Sequence, residues 1–316
     1  MARILRFGWI LGRDLLSRPR PRFDSLRYAL AVRDPNRPHL MGIVNVTPDS
    51  FSDGGNYFGQ TAAVEHALEL CEAGATMIDV GGESTRPGAA AVSADEQCRR
   101  VVPVIKQLVD TCGNRVQLSV DTRDERVARQ AVDVGATMIN DVSASLGPVA
   151  AELGVDYVAM HMRGTPTDMQ TSPQYGDVVA EVQQFLVTAA TEASRRSTNT
   201  VYVDPGIGFG KTPQHNLDLI RNLDVFTSGT FPVVLGVSRK SFLGALMAAA
   251  TAGSYSGTTG IVGVHQRDVA AIVVATFAAV HGVDVLRVHD VAAHTAALDA
   301  IFEPSGSRIT NHHGGF

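Results

Sequence analysis

Three cysteines in 316 residues, Cys71, Cys98 and Cys112, are too few and too irregularly spaced for a disulfide framework or a Cys-x-x-Cys metal site. They read as reduced, buried thiols, which places the chain in a cytoplasm. A strong excess of one charge is also missing. The 27 Lys and Arg against 32 Asp and Glu give a net charge of −5, so nucleic acid is not an expected partner. Membrane-length apolar runs are absent as well. The longest, Val269 to Val280, is Ala-rich, follows Arg267-Asp268 and ends at His281-Gly282, which suits a packed helix and not a bilayer span. The Met1 to Leu16 segment has Arg3, Arg6 and Arg13 among its apolar residues and no small-residue cleavage site, which argues against a secretory signal. An organellar transit peptide stays open, because residues 1–40 carry nine Arg against three Asp. Finally, no Gly-x-Gly-x-x-Gly follows the first strand-like run, which disfavours a dinucleotide-binding open sheet.

What is present is a rhythm. Eight times a short apolar run leads into a polar side chain: Gly42 to Asn45, Thr76 to Asp79, Leu118 to Asp121, Thr137 to Asp141, Val158 to His161, Val201 to Asp204, Val233 to Ser238 and Leu286 to Asp290. Continuous apolar runs mark strands buried on both faces, hence a parallel sheet covered by helices. Helical patterns lie between them, as in Thr61 to Ala73 and Asp124 to Val134, each closed by a glycine, Gly74 or Gly135. The segment Ala-Gly-Ala-Thr-Met-Ile-Asp at 73–79 recurs as Val-Gly-Ala-Thr-Met-Ile-Asn at 134–140, an internal repeat two βα units apart. Eight such units close most naturally into an α/β (β/α)₈ TIM barrel, a single domain over 39–302. Residues 1–38 are expected to form an N-terminal extension capping the barrel's bottom, and 303–316 a disordered tail whose His312-His313 pair is not a metal site. The Gly/Ser/Thr-rich stretch Thr251 to Gly263 reads as a loop between two helices of the seventh unit.

In such barrels the chemistry sits at the C-terminal ends of the strands. That rim collects Asn45, Asp79, Asp121, Asn140, Asp141, His161, Asp204, Ser238, Lys240, Arg287 and His289. Asp121, Asn140 and Asp204 form a carboxylate and amide set suited to a ligand rich in N–H donors. Lys240, Arg287 and His289 are cationic or can become so, near strands seven and eight, where barrels often hold phosphate. Bland readings compete at each position. A strand-end Asp is often only a helix N-cap, His161 between two methionines reads as a satisfied structural histidine, and Asp79, which with Glu83 could suggest a metal, reads sooner as a hydrogen-bonded structural Asp. From the residues alone the reading stops at a barrel enzyme acting on a phosphorylated substrate.

Longer motifs go further. Met41 to Gly55 (MGIVNVTPDSFSDGG), Asp79 to Gly88 (DVGGESTRPG), Ser119 to Thr122, Ile139 to Val142, Met160 to Met162, Asp204 to Lys211 (DPGIGFGK), Ser238 to Ser241 and Arg287 to Asp290 occur in one order over about 38–302. This set resembles the dihydropteroate synthase family of the folate pathway. The resemblance implies a transferase that condenses hydroxymethyl-dihydropterin diphosphate with para-aminobenzoate, with Mg²⁺, giving dihydropteroate and pyrophosphate. It implies that Asp121, Asn140, Asp204 and Lys240 hold the pterin, with Met160 and Phe209 lining its slot. Asn45 would help hold Mg²⁺, and Asn45, Arg287 and His289 would grip the diphosphate. Phe51, Thr85, Arg86, Pro87 and Ser241 would meet the benzoate, with Asp121, Lys240, Arg287 and His289 as the catalytic set. It moves Lys240 from the phosphate group, where charge alone had put it, to the pterin side. It also implies a homodimer and a sulfonamide target, although susceptibility is not readable from sequence.

The chain departs from the family in a Ser143 to Gly154 stretch a few residues short, which clips the fourth helix, and in residues 1–25, which exceed the usual start. Two other readings compete. A methyltetrahydrofolate-binding methyltransferase domain shares the fold and the Asp/Asn/Asp set but has no diphosphate to hold, and Ser-Arg-Lys at 238–240 and Arg-Val-His at 287–289 argue against it. A non-catalytic paralogue should have lost loop residues that are all present.

Overall fold

The computed structural model describes residues 37–47, 55–86, 88–196, 199–252 and 264–302. The expected N-terminal cap, apart from its last two residues, the tail from 303 onward and most of the 251–263 loop lie outside them. Elements alternate along the chain as β1 (His39–Asn45), α1 (Gly55–Glu72), β2 (Met77–Gly81), α2 (Ala94–Cys112), β3 (Gln117–Asp121), α3 (Glu125–Asp133), β4 (Met138–Asp141) and α4 (Gly147–Leu153). They continue as β5 (Asp156–Met160), α5 (Val178–Ser194), β6 (Val201–Asp204), α6 (Pro213–Arg221), α7 (Asp224–Thr227), β7 (Val234–Gly236), α8 (Ser241–Ala252), α9 (Val264–Val280), β8 (Val285–Val288) and α10 (Val291–Asp299).

The strands form one eight-stranded sheet in the order β6-β5-β4-β3-β2-β1-β8-β7, every pair parallel. A parallel bridge between Val203 and Val233 brings the two edges together, and Val203 N–H donates to Pro232 O at 2.9 Å. The result is the (β/α)₈ barrel that the eight apolar runs indicated, in nearly closed form. Alternate strand residues split into two cores. Outward-facing Leu40, Val44, Ile78, Val80, Leu118 and Val120 pack with the helices, whereas Met41, Met77, Met138, Val158, Val234 and Val285 fill the barrel's interior. Period-two alternation with apolar residues on both faces explains why the strands read as unbroken runs.

The helices end and begin as their terminal residues dictate. Asp124, Asp177 and Asp290 each cap a helix by accepting backbone N–H bonds, and Thr212 forms a capping box with His215. α2 starts at Ser93, whose side chain accepts from Glu96 N, and stops at Gly113. The internal repeat is structural: Gly74 and Gly135 adopt φ of +112° and +114°, and a Cβ at either would press on the neighbouring helical layer, at 2.8 Å from Thr295 Oγ1 or 2.7 Å from Val109 Cγ2. Only glycine turns the chain this tightly into the next strand.

Two elements differ from the sequence expectation. α1 begins at Gly55, more than a turn before Thr61, because the segment 55–60 lacks the apolar spacing on which periodicity relies. β7 covers only Val234–Gly236 of the run Val233 to Ser238. Beyond Gly236, His289 N–H donates to Ser238 Oγ at 3.3 Å, so a side chain takes the place of a ladder carbonyl. The fourth helix is short, seven residues closed by left-handed Gly154.

Candidate active site

Register decides which rim residues meet. Asn45 pairs with Gly81, Gly81 with Asp121 and Asp121 with Asn140, so these four lie at one level across β1 to β4. Gly81 is the gap in this row. A Cβ there would lie 3.5 Å from Asp121 Cβ and 3.7 Å from Asn45 Oδ1, so its absence leaves Asn45 and Asp121 facing each other. On the far side Met160 pairs with Asp204.

Arg287, from β8, reaches into the row. Its Nε donates to Asp79 Oδ2 and its Nη2 to Asp121 Oδ2, both at 2.7 Å. Asp79 Oδ2 also accepts from Asn140 Nδ2 at 2.8 Å, while Asp79 Oδ1 is buried with no hydrogen-bond partner. Asp79 is therefore the hidden post to which Asn140 and Arg287 are tied. Burial pushes the Asp121 carboxyl up to about 7, with the Arg287 guanidinium pulling the other way. In a site where both can be satisfied, a ligand that donates N–H bonds to Asp121 favours the anion.

Lys240 and Asp204 make the other arc. Asp204 is buried, which raises its pKa, and Lys240 is the chief influence lowering it. Lys240 Nζ donates to Ile207 O and stands 4.6 Å from the centre of the Phe209 ring. Burial lowers Lys240 to about 8. The ammonium thus sits beside Phe209 after strand six, with Asp204 the largest charge acting on it and Arg287 and Asp121 next. His289 bonds through Nδ1 to Ser238 Oγ at 3.0 Å, and burial together with Arg239 and Arg287 lowers it to about 3. It is a neutral imidazole, able to present one N–H.

The loop expected to meet a second substrate is anchored from behind. Glu83 accepts from Val92 N at 3.0 Å and pairs with Arg123 at 3.3 Å, and Arg100 Nη1 donates to Gly82 O at 2.8 Å. Glu83 is thereby committed to Arg123 and is no partner for a metal at Asp79. Thr85 is half-buried, while Arg86 and Ser241, the first residue of α8, are exposed. Phe51 and Pro87 lie outside the described residues. Among the described residues no three His, Cys, Asp or Glu side chains cluster as a metal cage.

Two strand-end residues are structural. Asp141 accepts from Ser143 N, Ser145 N, Leu146 N and Tyr157 Oη at 2.7 to 3.0 Å and so organises the turn into α4. His161 is buried against Lys211, its Nδ1 at 2.9 Å from Lys211 Nζ. Lys211 itself carried no role in the sequence reading.

Carboxylates, an amide, cations and a neutral imidazole thus share one rim, able to bind a donor-rich ring on one side and neutralise an anion on the other. Residues 41–289 match the family model described as pterin binding enzyme. Dihydropteroate synthase of Escherichia coli K12 is 41% identical over 274 residues, covering 85% of this chain and 92% of that protein. Two solved structures of Xanthomonas albilineans dihydropteroate synthase superpose on the barrel. The one with 4-aminobenzoic acid has a TM-score of 0.74 and 44% identity, covering 84% of this chain and 92% of the other. The one in complex with 7,8-dihydropteroate has a TM-score of 0.68 and 37% identity over 84% of this chain and 92% of that one. With its nearly closed eight-stranded barrel, its rim set and this likeness along most of its length, the chain belongs to the dihydropteroate synthase family of pterin-binding enzymes.

Proposed function

We propose that the chain condenses hydroxymethyl-dihydropterin diphosphate with para-aminobenzoate to give dihydropteroate and pyrophosphate. The observation that carries this is the row in which Asp121 and Asn140 stand in register while Arg287 from β8 bonds Asp121 directly and Asn140 through the shared Asp79. Asp121, Asn140 and Asp204 accept and donate to the pterin's ring edge, Met160 and Phe209 line its faces, and Lys240 closes the slot above Phe209. Arg287 and His289, beside Asn45, take the diphosphate. The benzoate lies over Ser241 at the start of α8, where backbone N–H groups suit its carboxylate, with Thr85 and Arg86 around it.

The reaction breaks the bond from the pterin methylene carbon to the diphosphate oxygen, its electron pair leaving with pyrophosphate. Positive charge develops on the pterin methylene, and the adjacent Asp121 carboxylate stabilises it. The arylamine is neutral near pH 7, so its lone pair attacks directly, forming the C–N bond, and the displaced proton passes to solvent. Electrostatics and positioning thus carry the reaction more than proton transfer does.

Mg²⁺ fits the residues present. It typically takes one or two protein oxygens, with substrate phosphate oxygens and waters completing its shell. Asn45 Oδ1, facing Asp121 across Gly81, offers such an oxygen. When bound, the ion neutralises the leaving diphosphate.

A homodimer is part of the proposal. α9 carries Val269, Val273, Phe277 and Val280 at helical spacing, 63, 65, 37 and 57% exposed, an apolar stripe suited to a second copy of this chain. A cytoplasmic setting agrees with three free thiols; no helix among the described residues is long and apolar enough to cross a membrane.

The test is to mix protein, Mg²⁺ and both organic substrates and to follow pyrophosphate. Release that needs both substrates and stops on chelation supports the reading. Release without the benzoate indicates hydrolysis, and absence of release supports a non-catalytic paralogue. Transfer of a methyl group to a corrinoid would instead support the methyltransferase reading.

A further inference from the structure

We infer that Lys211 and His161 form a buried positioning pair that sets the loop between β6 and α6, so that Lys211 governs pterin binding without touching the pterin. The inference rests on the functional reading above. Lys211 is 2% exposed, and its Nζ lies 2.9 Å from His161 Nδ1, 2.9 Å from Gly206 O, 3.0 Å from Phe209 O and 3.2 Å from His161 O. These partners include no carboxylate. A buried lysine is costly, and this one is offset by four acceptors, three carbonyl oxygens and a ring nitrogen, although Gly206 O also accepts from Phe209 N at 3.1 Å. Burial, and after it the charges of Lys211 and Arg163, hold His161 down at about 3, so its ring is neutral and its Nδ1 is free to accept, while burial also pushes Lys211 well below the usual lysine range.

The crowding has a visible cause. Gly206 and Gly210 adopt φ of +64° and +62°, and a Cβ on either would overlap the carbonyl oxygen of His161 or Arg163. The loop is thus pressed against the end of β5, with carbonyls turned toward one another, and the Lys211 amine is what they share. From there the chain of contacts leads to the rim. Gly206 N–H donates to Asp204 Oδ1 at 2.7 Å, Ile207 O accepts from Lys240, and a Cβ at Gly208 would lie 3.1 Å from Lys240 Cδ. Phe209 carries the ring beneath the Lys240 ammonium. Loss of the Lys211 amine would shift Asp204, Phe209 and Lys240 together, and leave the row of Asn45, Asp121 and Arg287 in place.

The experiment compares two probes on wild type and Lys211→Met: pterin diphosphate without benzoate, and inorganic pyrophosphate, each with Mg²⁺, by calorimetry. Misplacement of a binding group by about 1 Å typically costs on the order of 100-fold, so pterin diphosphate should bind about 10- to 100-fold more weakly while pyrophosphate changes by less than about twofold. In turnover, KM for the pterin should rise more than kcat falls. Unchanged pterin affinity, or equal loss of both probes, would overturn the inference and leave Lys211 a residue of stability alone. Tyr175→Phe removes the bond from Tyr175 Oη to Gly210 O, 2.9 Å, and loosens the same loop from outside. It should give a smaller change confined to the pterin probe, and it decides the matter if Lys211→Met does not accumulate folded. A wild-type protein that binds no pterin would sink the functional reading instead.

Discussion

Arg287 donates from Nη2 to Asp121 Oδ2 at 2.7 Å, joining the last strand of the barrel to the third across 166 positions of sequence. The same guanidinium holds Asp79, so one cation serves two buried carboxylates. Arg287→Met would leave both without it. Removing one partner of a buried ion pair costs about 3–5 kcal/mol, so the denaturant midpoint should fall clearly and activity with it. Arg287→Lys should recover part of the stability and little of the rate, because an ammonium cannot reproduce the two-pronged geometry. Equal midpoints for wild type and Arg287→Met in chemical denaturation would contradict the pairing.

The pH profile of kcat/KM follows from two shifted groups. Asp121, raised to about 7, is fully anionic only above that value, so the rate should climb as pH rises through it. Lys240, lowered to about 8, loses its ammonium above that value, so the rate should fall again. A narrow bell is expected in a pH series on the free enzyme. Asp121→Asn should fold and lose the acid limb, with turnover down by about 100- to 1,000-fold, the size expected for one removed charge-stabilising group. Near-normal turnover in that variant would remove the cation-stabilising role from Asp121.

Asp141 sits among the strand ends yet serves the fold. Substituting Ala strips acceptors from three backbone N–H groups and from Tyr157. Each orphaned buried donor costs about 1–3 kcal/mol. A large drop in melting temperature is expected, with kcat of the folded fraction nearly unchanged. Tyr157→Phe, which removes one of these bonds, should cost about 1 kcal/mol. A kcat that collapses in Asp141→Ala while the melting temperature holds would reverse this assignment.

Val273 lies at the centre of the exposed stripe on α9. Val273→Asp should convert a dimer to a monomer in sedimentation velocity, since a buried unpaired carboxylate is strongly disfavoured at an apolar contact. If wild type already sediments as a monomer, the stripe has another purpose.

Much of this molecule was written locally. Apolar runs ending in Asn45, Asp121, Asn140 and Asp204 were enough to place these residues at the rim, because parallel strands put their ends on one face. The repeat around Gly74 and Gly135 announced the βα period for the same reason, a glycine turn being a local requirement. Contacts across the barrel were not legible. Charge alone grouped Arg287 with the phosphate ligands and gave no hint that it grips Asp79 and Asp121, since only the pairing of β8 with β1 in a curved sheet brings the last strand near β2 and β3. Lys240 was placed beside Asp204 by resemblance and not by charge, and its neighbourhood in the fold is Asp204, Ile207 and Phe209. The inward turn of Lys211 depends on backbone crowding between two loops, which no spacing of residue types records.

The join between β6 and β7 is a single bridge, Val203 to Val233. Mechanically the barrel is a split ring, braced by continuous ladders everywhere except at this cut. The Asp204 to Lys211 loop starts at the cut edge, where no second strand steadies it, and there a lysine rivets the loose end to β5. A ring of this kind yields first at its gap. Its stiffness at the pterin slot is therefore drawn from side chains, Lys211 from within and Tyr175, Gln170 and Asn216 from around it, while the anion-facing arc draws its rigidity from the unbroken part of the hoop.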